Sequence, residues 1–265
     1  RLSGSEMEWT YLNADKLYLS VIYRDLFIDG TGLHGWHLNA APNFFPDMAL
    51  YFVIMTFFRD VLVADFVFSL VQYLLFLFLV YALFCQLDRT NGPRYAALFV
   101  FLMFLFLLIP VYTERFLLTY QLLSISYHFG AGIMTLATLN LLLAHWRTGK
   151  NRFLAWLFLF TLLGTVSDRL FLVQFVFPVL LLAVLLIHRS HRRTLRASLA
   201  GVLLGAVAGL LLFRWIGQSD VIHIIHTGFK MFNFDNIAYS WQRLMEHMGD
   251  LLHLFPEALI LLLAL

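Results

Sequence analysis

The chain has 265 residues, of which 61% are hydrophobic and only 13% charged, whereas a soluble domain carries about 25% charged residues. A mean hydropathy of +0.80 excludes an ordinary soluble globular domain, and a net charge of +2 is too small to point to a nucleic-acid partner. A single cysteine, Cys85, excludes an internal disulfide and a thiolate metal cluster.

Taken in chain order, the first sixty residues are the polar part. They hold a helical-looking piece over 15–27 and a turn, Asp29-Gly30-Thr31-Gly32. An aromatic and imidazole run follows, His34-Gly35-Trp36-His37, and then Asn43-Phe44-Phe45-Pro46-Asp47. Asp47 reads as the N-cap of a helix over 48–59. That helix is apolar but too short to span comfortably, so it is expected to lie along the interface or dip into it.

Six apolar stretches come next, over 61–86, 95–111, 130–146, 153–166, 170–187 and 197–215, and a seventh starts near Phe255. About 20 apolar residues cross the roughly 30 Å of hydrocarbon. Lys and Arg concentrate in every second connection: Arg89 and Arg94, then Arg147, Lys150 and Arg152, then Arg189, Arg192, Arg193 and Arg196. Cytoplasmic loops carry this excess. The other loops, with the first stretch, then face the outside. The pattern predicts an all-α polytopic transmembrane helical bundle with long outside-facing loops that carry interfacial helices. It is read as a single membrane domain over 1–265: an outside loop over 1–60, six transmembrane helices over 61–215, a second outside loop over 216–254 with Tyr239 and Trp241 at the water boundary, and the start of a further span over 255–265. The chain begins at Arg1 without Met and stops inside an apolar run. It reads as a piece of a longer protein, with a spanning helix expected before Arg1.

The stretch 153–166 is short. At about 1.5 Å per residue it covers roughly 21 Å, less than the full hydrocarbon thickness. The turn Ser167-Asp168-Arg169 is therefore recessed. Charges at that depth are costly unless they pair or line a wet cavity. An outward-facing polar cavity is expected, with Asp168 and Arg169 at its wall. A simpler arrangement is compatible with it: Ser167 or Asp168 caps the next helix and Arg169 snorkels outward. His128 opens a span on the same side, placed to reach that cavity or to anchor the helix mouth. Gly201, Gly205 and Gly209, four apart, read as a close helix-packing face in preference to a lipid groove.

Ten histidines include His34 and His37, and His223 and His226, each pair three apart as on one helical face. A zinc site needs three or four ligands, and the His-Glu-x-x-His pattern is absent. These pairs read as interfacial side chains, and no metal site is assigned.

Asp15 stands in Asn13-Ala14-Asp15-Lys16-Leu17-Tyr18, and further on comes Phe45-Pro46-Asp47-Met48-Ala49-Leu50-Tyr51. This pattern resembles the GT-C class of membrane glycosyltransferases related to the protein O-mannosyltransferases and the lipid A aminoarabinose transferases. Members often show Asp-Glu-x-x-Tyr after their first transmembrane helix and a Pro-Pro-Leu-x-Tyr-like motif where the next membrane segment starts. Here Asp15 and Tyr18 stand in the first motif and Pro46 and Tyr51 in the second. Lys16 replaces the second acid, and one proline replaces two. The resemblance implies a GT-C-like bundle that transfers a sugar from a polyprenyl-phosphate-linked donor to a glycan, lipid or protein acceptor. The setting it implies is a bacterial cytoplasmic (inner) membrane, with the active face periplasmic.

Such transfer needs the acceptor activated. A carboxylate at the membrane surface can take the proton as general base, hold a divalent cation or orient the acceptor. The resemblance makes Asp15 the first candidate base, and Asp47 is the second carboxylate to test. On residue chemistry alone Asp15 is also an N-cap of the helix after it. The leaving group is an anionic phosphate, which calls for cations. Arg24, Arg115 and Arg169 are the candidates, with Tyr18, His128 and Asp168 as further substrate-binding residues. Arg24 lies on the helix face opposite Asp15. Arg115 adjoins Glu114 and reads equally as half of a surface pair. Two other functions compete: a lipid or solute transporter or flippase, and a non-catalytic membrane assembly subunit. Transporters place polar groups near the midplane, and here the main charge within a span is Asp65, read as interfacial.

Overall fold

A computed structural model describes residues 14–113, 128–186, 192–219, 222–224, 238–246 and 249. Helix α1 is Ala14–Phe27 and strand β1 is Trp36–Leu38. A wide turn, Phe44–Met48, contains the extended residue Phe45 (φ −143°, ψ 133°) and a cis Phe45–Pro46 bond. It leads into α2, Ala49–Phe58. Then come α3 (Val61–Leu87), α4 (Gly92–Thr113), α5 (Phe129–Thr148) and α6 (Asn151–Ser167). A second wide turn, Leu172–Val176, runs into α7, Phe177–Leu186; α8 is Arg192–Gly217 and strand β2 is Ile222–Ile224.

Local chemistry explains the punctuation. α2 stops where Arg59 turns left-handed (φ 52°). Asp60 starts α3 by accepting the Val63 N–H at 3.0 Å, an N-cap in the ordinary sense. At the other end of α3 the Asp88 carboxylate accepts the N–H groups of Thr90 and Asn91, at 2.9 and 3.1 Å. That closes the turn into α4. Gly149 (φ 64°) ends α5, and α6 starts two residues later. Connections this short make α3/α4 and α5/α6 antiparallel hairpins.

Among the described residues three helices are long and apolar enough to cross a membrane: Val61–Leu87, Phe129–Thr148 and Thr194–Gly217. Their outer surfaces expose large apolar side chains, including Phe66 and Phe78 on α3 and Leu204, Leu211 and Trp215 on α8. So much contiguous apolar surface suits lipid better than water. α6 has 17 residues, roughly 25 Å, which is short of the hydrocarbon thickness.

Two clusters of buried side chains hold the helices. One joins Leu19 and Ile22 of α1, Leu38 of β1, Tyr51 and Met55 of α2 and Phe68 of α3 to Phe213 of α8 and Ile224 of β2. The other joins Met134 and Leu142 of α5, Leu157 of α6, Phe171, Phe175, and Val202 and Ala206 of α8. The glycines of α8 let it lie directly on α6. A Cβ at Gly205 would stand 2.7 Å from the Phe158 carbonyl oxygen, and one at Gly209 2.7 Å from Thr165 Cβ. The stripe is thus a packing face.

The structure departs from the sequence expectations at three places. β1 and β2 pair in parallel, with Trp36 opposite Ile222, His37 opposite His223 and Leu38 opposite Ile224, so two short strands join the helices. His37 and His223 are strand residues, so neither three-residue spacing sets two rings on one helix face. Asp47 is not the N-cap of α2: that position is Met48, with no side-chain capping bond, and the Asp47 side chain is buried. Asp65, near the start of α3, is buried and accepts a hydrogen bond from the Tyr51 hydroxyl at 2.8 Å.

Contacts divide the chain after Ile224. In the second unit a short helix spans 238–246, where Arg243 donates to the Tyr239 hydroxyl and to Glu246. The span expected over 255–265 lies outside the described residues.

Candidate functional site

The site grows from the shortness of α6. Its C-terminal residue, Ser167, is met by the segment that precedes α2. The Asn43 N–H donates to the Ser167 carbonyl at 3.1 Å, and the Phe45 N–H donates to Ser167 Oγ at 2.6 Å. Asn43 turns left-handed to make this approach (φ 56°), a conformation asparagine tolerates better than most residues. The two bonds draw the chain inward, so that Asp47 is only 2% exposed.

Inside, the Asp47 carboxylate accepts a hydrogen bond from Gln72 Nε2 of α3. It also lies against Gly130 in the first turn of α5, so closely that a Cβ there would overlap it. Three parts of the fold thus meet at one carboxylate. The positive end of the α5 dipole favours negative charge at that place.

A second carboxylate adjoins it. Asp168 follows α6 directly, and its Oδ1 accepts the Leu170 N–H at 2.9 Å, which starts the next helical segment. Its Oδ2 contacts Nδ1 of His128, the left-handed residue (φ 57°) that opens α5. The Asp168 side chain is 5% exposed and that of His128 is 52% exposed. The imidazole therefore stands between the buried carboxylates and the exterior.

These neighbours set the proton affinities. Burial pushes the Asp47 carboxyl up to about 7, and the negative charge of Asp168 adds to the rise; the Gln72 amide and His128 oppose it. The hydrogen bond to Asp168 raises the His128 imidazole above its ordinary value, burial opposes that, and the charges of Asp168 and Asp47 assist it. An acid with affinity near neutrality can both take and release a proton at pH 7. A protonated imidazole beside it offers a positive, half-exposed surface.

No known family, curated protein or solved structure matches the chain. The likeness to GT-C enzymes rests on the residues quoted above.

Of the residues singled out from the sequence, Asp47, His128 and Asp168 come together. Arg169 is next to Asp168 in the chain, its guanidinium 4.9 Å from the centre of the Phe213 ring, a cation–π contact. It makes no ion pair among the described residues. Tyr18 belongs to the first apolar cluster, edge-on to Trp36 with ring centres 6.5 Å apart, and burial raises its hydroxyl pKa. Arg24 pairs with Asp29 at 3.0 Å in an exposed turn. The side chain of Asp15, and Arg115 altogether, lie outside the described residues.

Sequence reasoning passed over Gln72, Asn43 and Gly130. Gln72 carried a signal, since an amide within the apolar run of α3 must find a partner. Gly130 carried none that separates it from any other helical glycine. Asp47 and Asp168 are the carboxylates to which a divalent cation would bind. Among the described residues no three His, Cys, Asp or Glu side chains are grouped to hold one.

Proposed function

We propose that the chain is an integral-membrane glycosyltransferase of GT-C type. It transfers a sugar from a polyprenyl-phosphate-linked donor to a glycan, lipid or protein acceptor. The observation that carries the reading is the convergence of Asp47, Asp168 and His128 at the C-terminal end of α6. The positive-inside pattern supports a multi-pass arrangement with that end facing the periplasm of a bacterial cytoplasmic membrane.

In this reading Asp47 removes the acceptor proton. The acceptor attacks the anomeric carbon, the carbon–oxygen bond to phosphate breaks, and the phosphate leaves with the electron pair. Protonated His128 offers positive charge to that phosphate at the mouth, and Arg169 adjoins Asp168 in the chain. A lipid donor needs a path for its tail, and an apolar groove of about 470 Å³ supports one. It begins at Phe45, two residues from Asp47. It continues between α3 and α5, past Leu75 and Phe78, to Gln86, Asn140 and Ala144. The stretch from Leu75 to Gln86 is roughly 16 Å of helix.

A second reading is proton-coupled transport, which the near-neutral affinity of a buried acid also suits. Proteoliposomes holding the full chain separate the two. Labelled sugar passing from a polyprenyl-phosphate sugar to an acceptor, and lost in Asp47→Asn, supports transfer. Proton-driven flux with no transfer replaces the first reading by the second.

A further inference from the structure

We propose that His37 and His223 form a two-imidazole site for a borderline divalent transition metal of the Zn²⁺ or Cu²⁺ class. The site lies on the exposed face of the β1–β2 pair. Neither ring belongs to the Asp47–His128–Asp168 cluster, so the proposal stands apart from sugar transfer.

The fold brings the rings together from opposite ends of the chain. The parallel register sets His37 directly opposite His223. Side chains alternate across a strand, and both strands bury their third residue, Leu38 and Ile224, and expose the middle one. Both imidazoles therefore leave the same face, on strands about 4.8 Å apart. Their ring centres are 5.2 Å apart, with planes 28° from parallel.

That separation suits a shared ion. A zinc–nitrogen bond is about 2.0–2.1 Å, and an imidazole centre lies about 1.1 Å beyond its nitrogen, so two rings on one tetrahedral ion have centres about 5 Å apart. Rotation about χ2, which is broad for a ring, can aim one nitrogen of each ring at a common point while the backbone stays still. Imidazole suits zinc and copper alike; with two protein ligands in place of the three or four of a resident zinc site, the ion is held more loosely and water fills the remaining positions.

The ion would also have mechanical work to do. Each strand has three residues, and a two-stranded pair is marginal in water. A metal shared between the rings ties the first loop to the segment after α8, above the cluster that contains Leu38, Tyr51 and Ile224.

The test uses the untagged full chain in detergent. One equivalent of Cu²⁺ should give an electron paramagnetic resonance spectrum with superhyperfine coupling to two imidazole nitrogens. His37→Gln and His223→Gln should each reduce that to one nitrogen, and His34→Gln should leave it unchanged. Zn²⁺ should raise the thermal midpoint of the wild type by about 2–4 °C and leave the double variant unmoved. A two-nitrogen spectrum that persists in His37→Gln or His223→Gln overturns the proposal. So does a wild-type spectrum without two coupled nitrogens, whatever the variants do.

Discussion

Among the buried aspartates of the described residues, Asp65 and Asp47 differ in company. Asp65 is 2% exposed and accepts the Tyr51 hydroxyl at 2.8 Å, beside the aromatic cluster that includes Phe68, whose ring lies edge-on to Tyr51. Asp47 is equally buried, but its neighbours are an amide, a second carboxylate and an imidazole that opens outward. Burial alone thus says little about a carboxylate's task. The Tyr51 hydroxyl ties Asp65 across the α2–α3 pair, whereas the half-exposed His128 beside Asp168 and Asp47 gives those acids a route to solvent. The second motif that resembles GT-C enzymes divides along the same line. Pro46 adjoins the exchanging acid, and Tyr51 belongs to the anchored one.

The largest expected contrast is in rate. Asp47→Asn should lower sugar transfer by roughly 10²–10⁴-fold, the usual worth of a general base, because Asn keeps the acceptor for Gln72 and loses the proton site. Asp65→Asn should leave the rate per folded molecule unchanged. Equal losses in the two variants, read by single-turnover transfer in proteoliposomes, would erase the distinction.

A pH series sharpens it. The folded Asp47 value, about 7, lies above the roughly 3.9 of an unfolded aspartate. The folded state then holds the proton more tightly. The resulting stability is present below about pH 4 and is lost as pH rises through about 7. Asp47→Asn should remove that decline and be more stable than the wild type at pH 8, measured as thermal midpoints in detergent. The activity runs the opposite way, since the base must be ionised, and kcat/KM should rise with pH through the same region.

Packing changes come next in size. Gly130→Ala places a methyl group on the Asp47 carboxylate. Overpacking of this kind costs about 1–3 kcal/mol. Denaturation should show that loss, together with a shifted pH–rate profile. Gly205→Ala should lose a comparable amount at the α6–α8 contact with the profile unmoved. The smallest effect belongs to Arg24→Ala. Its pair with Asp29 is exposed on both sides, so stability should change by less than about 1 kcal/mol and transfer not at all.

Much of the helical plan was legible before any coordinates. The expected stretches 61–86 and 130–146 match α3 and α5 to within a residue or two. The shortness of the segment ending at Ser167 was legible too, since it follows from counting residues. The company of Asp47 was harder to read. Its place before an apolar helix looks like an N-cap, and only the bonds from Asn43 and Phe45 to Ser167, across more than a hundred residues, turn it inward. The histidines show the same limit. Spacing suggested His34 with His37 and His223 with His226, yet strand register joins His37 to His223.

By itself the sequence determined which segments avoid water and where the basic connections fall, because transfer of apolar side chains is a local, nearly additive property of each residue. Which polar groups meet was decided by tertiary structure. A buried carboxylate, amide or imidazole is tolerable only beside a suitable partner, and that partner is chosen by helix lengths, turns and register. Gln72 and Gly130 stand at Asp47 for that reason.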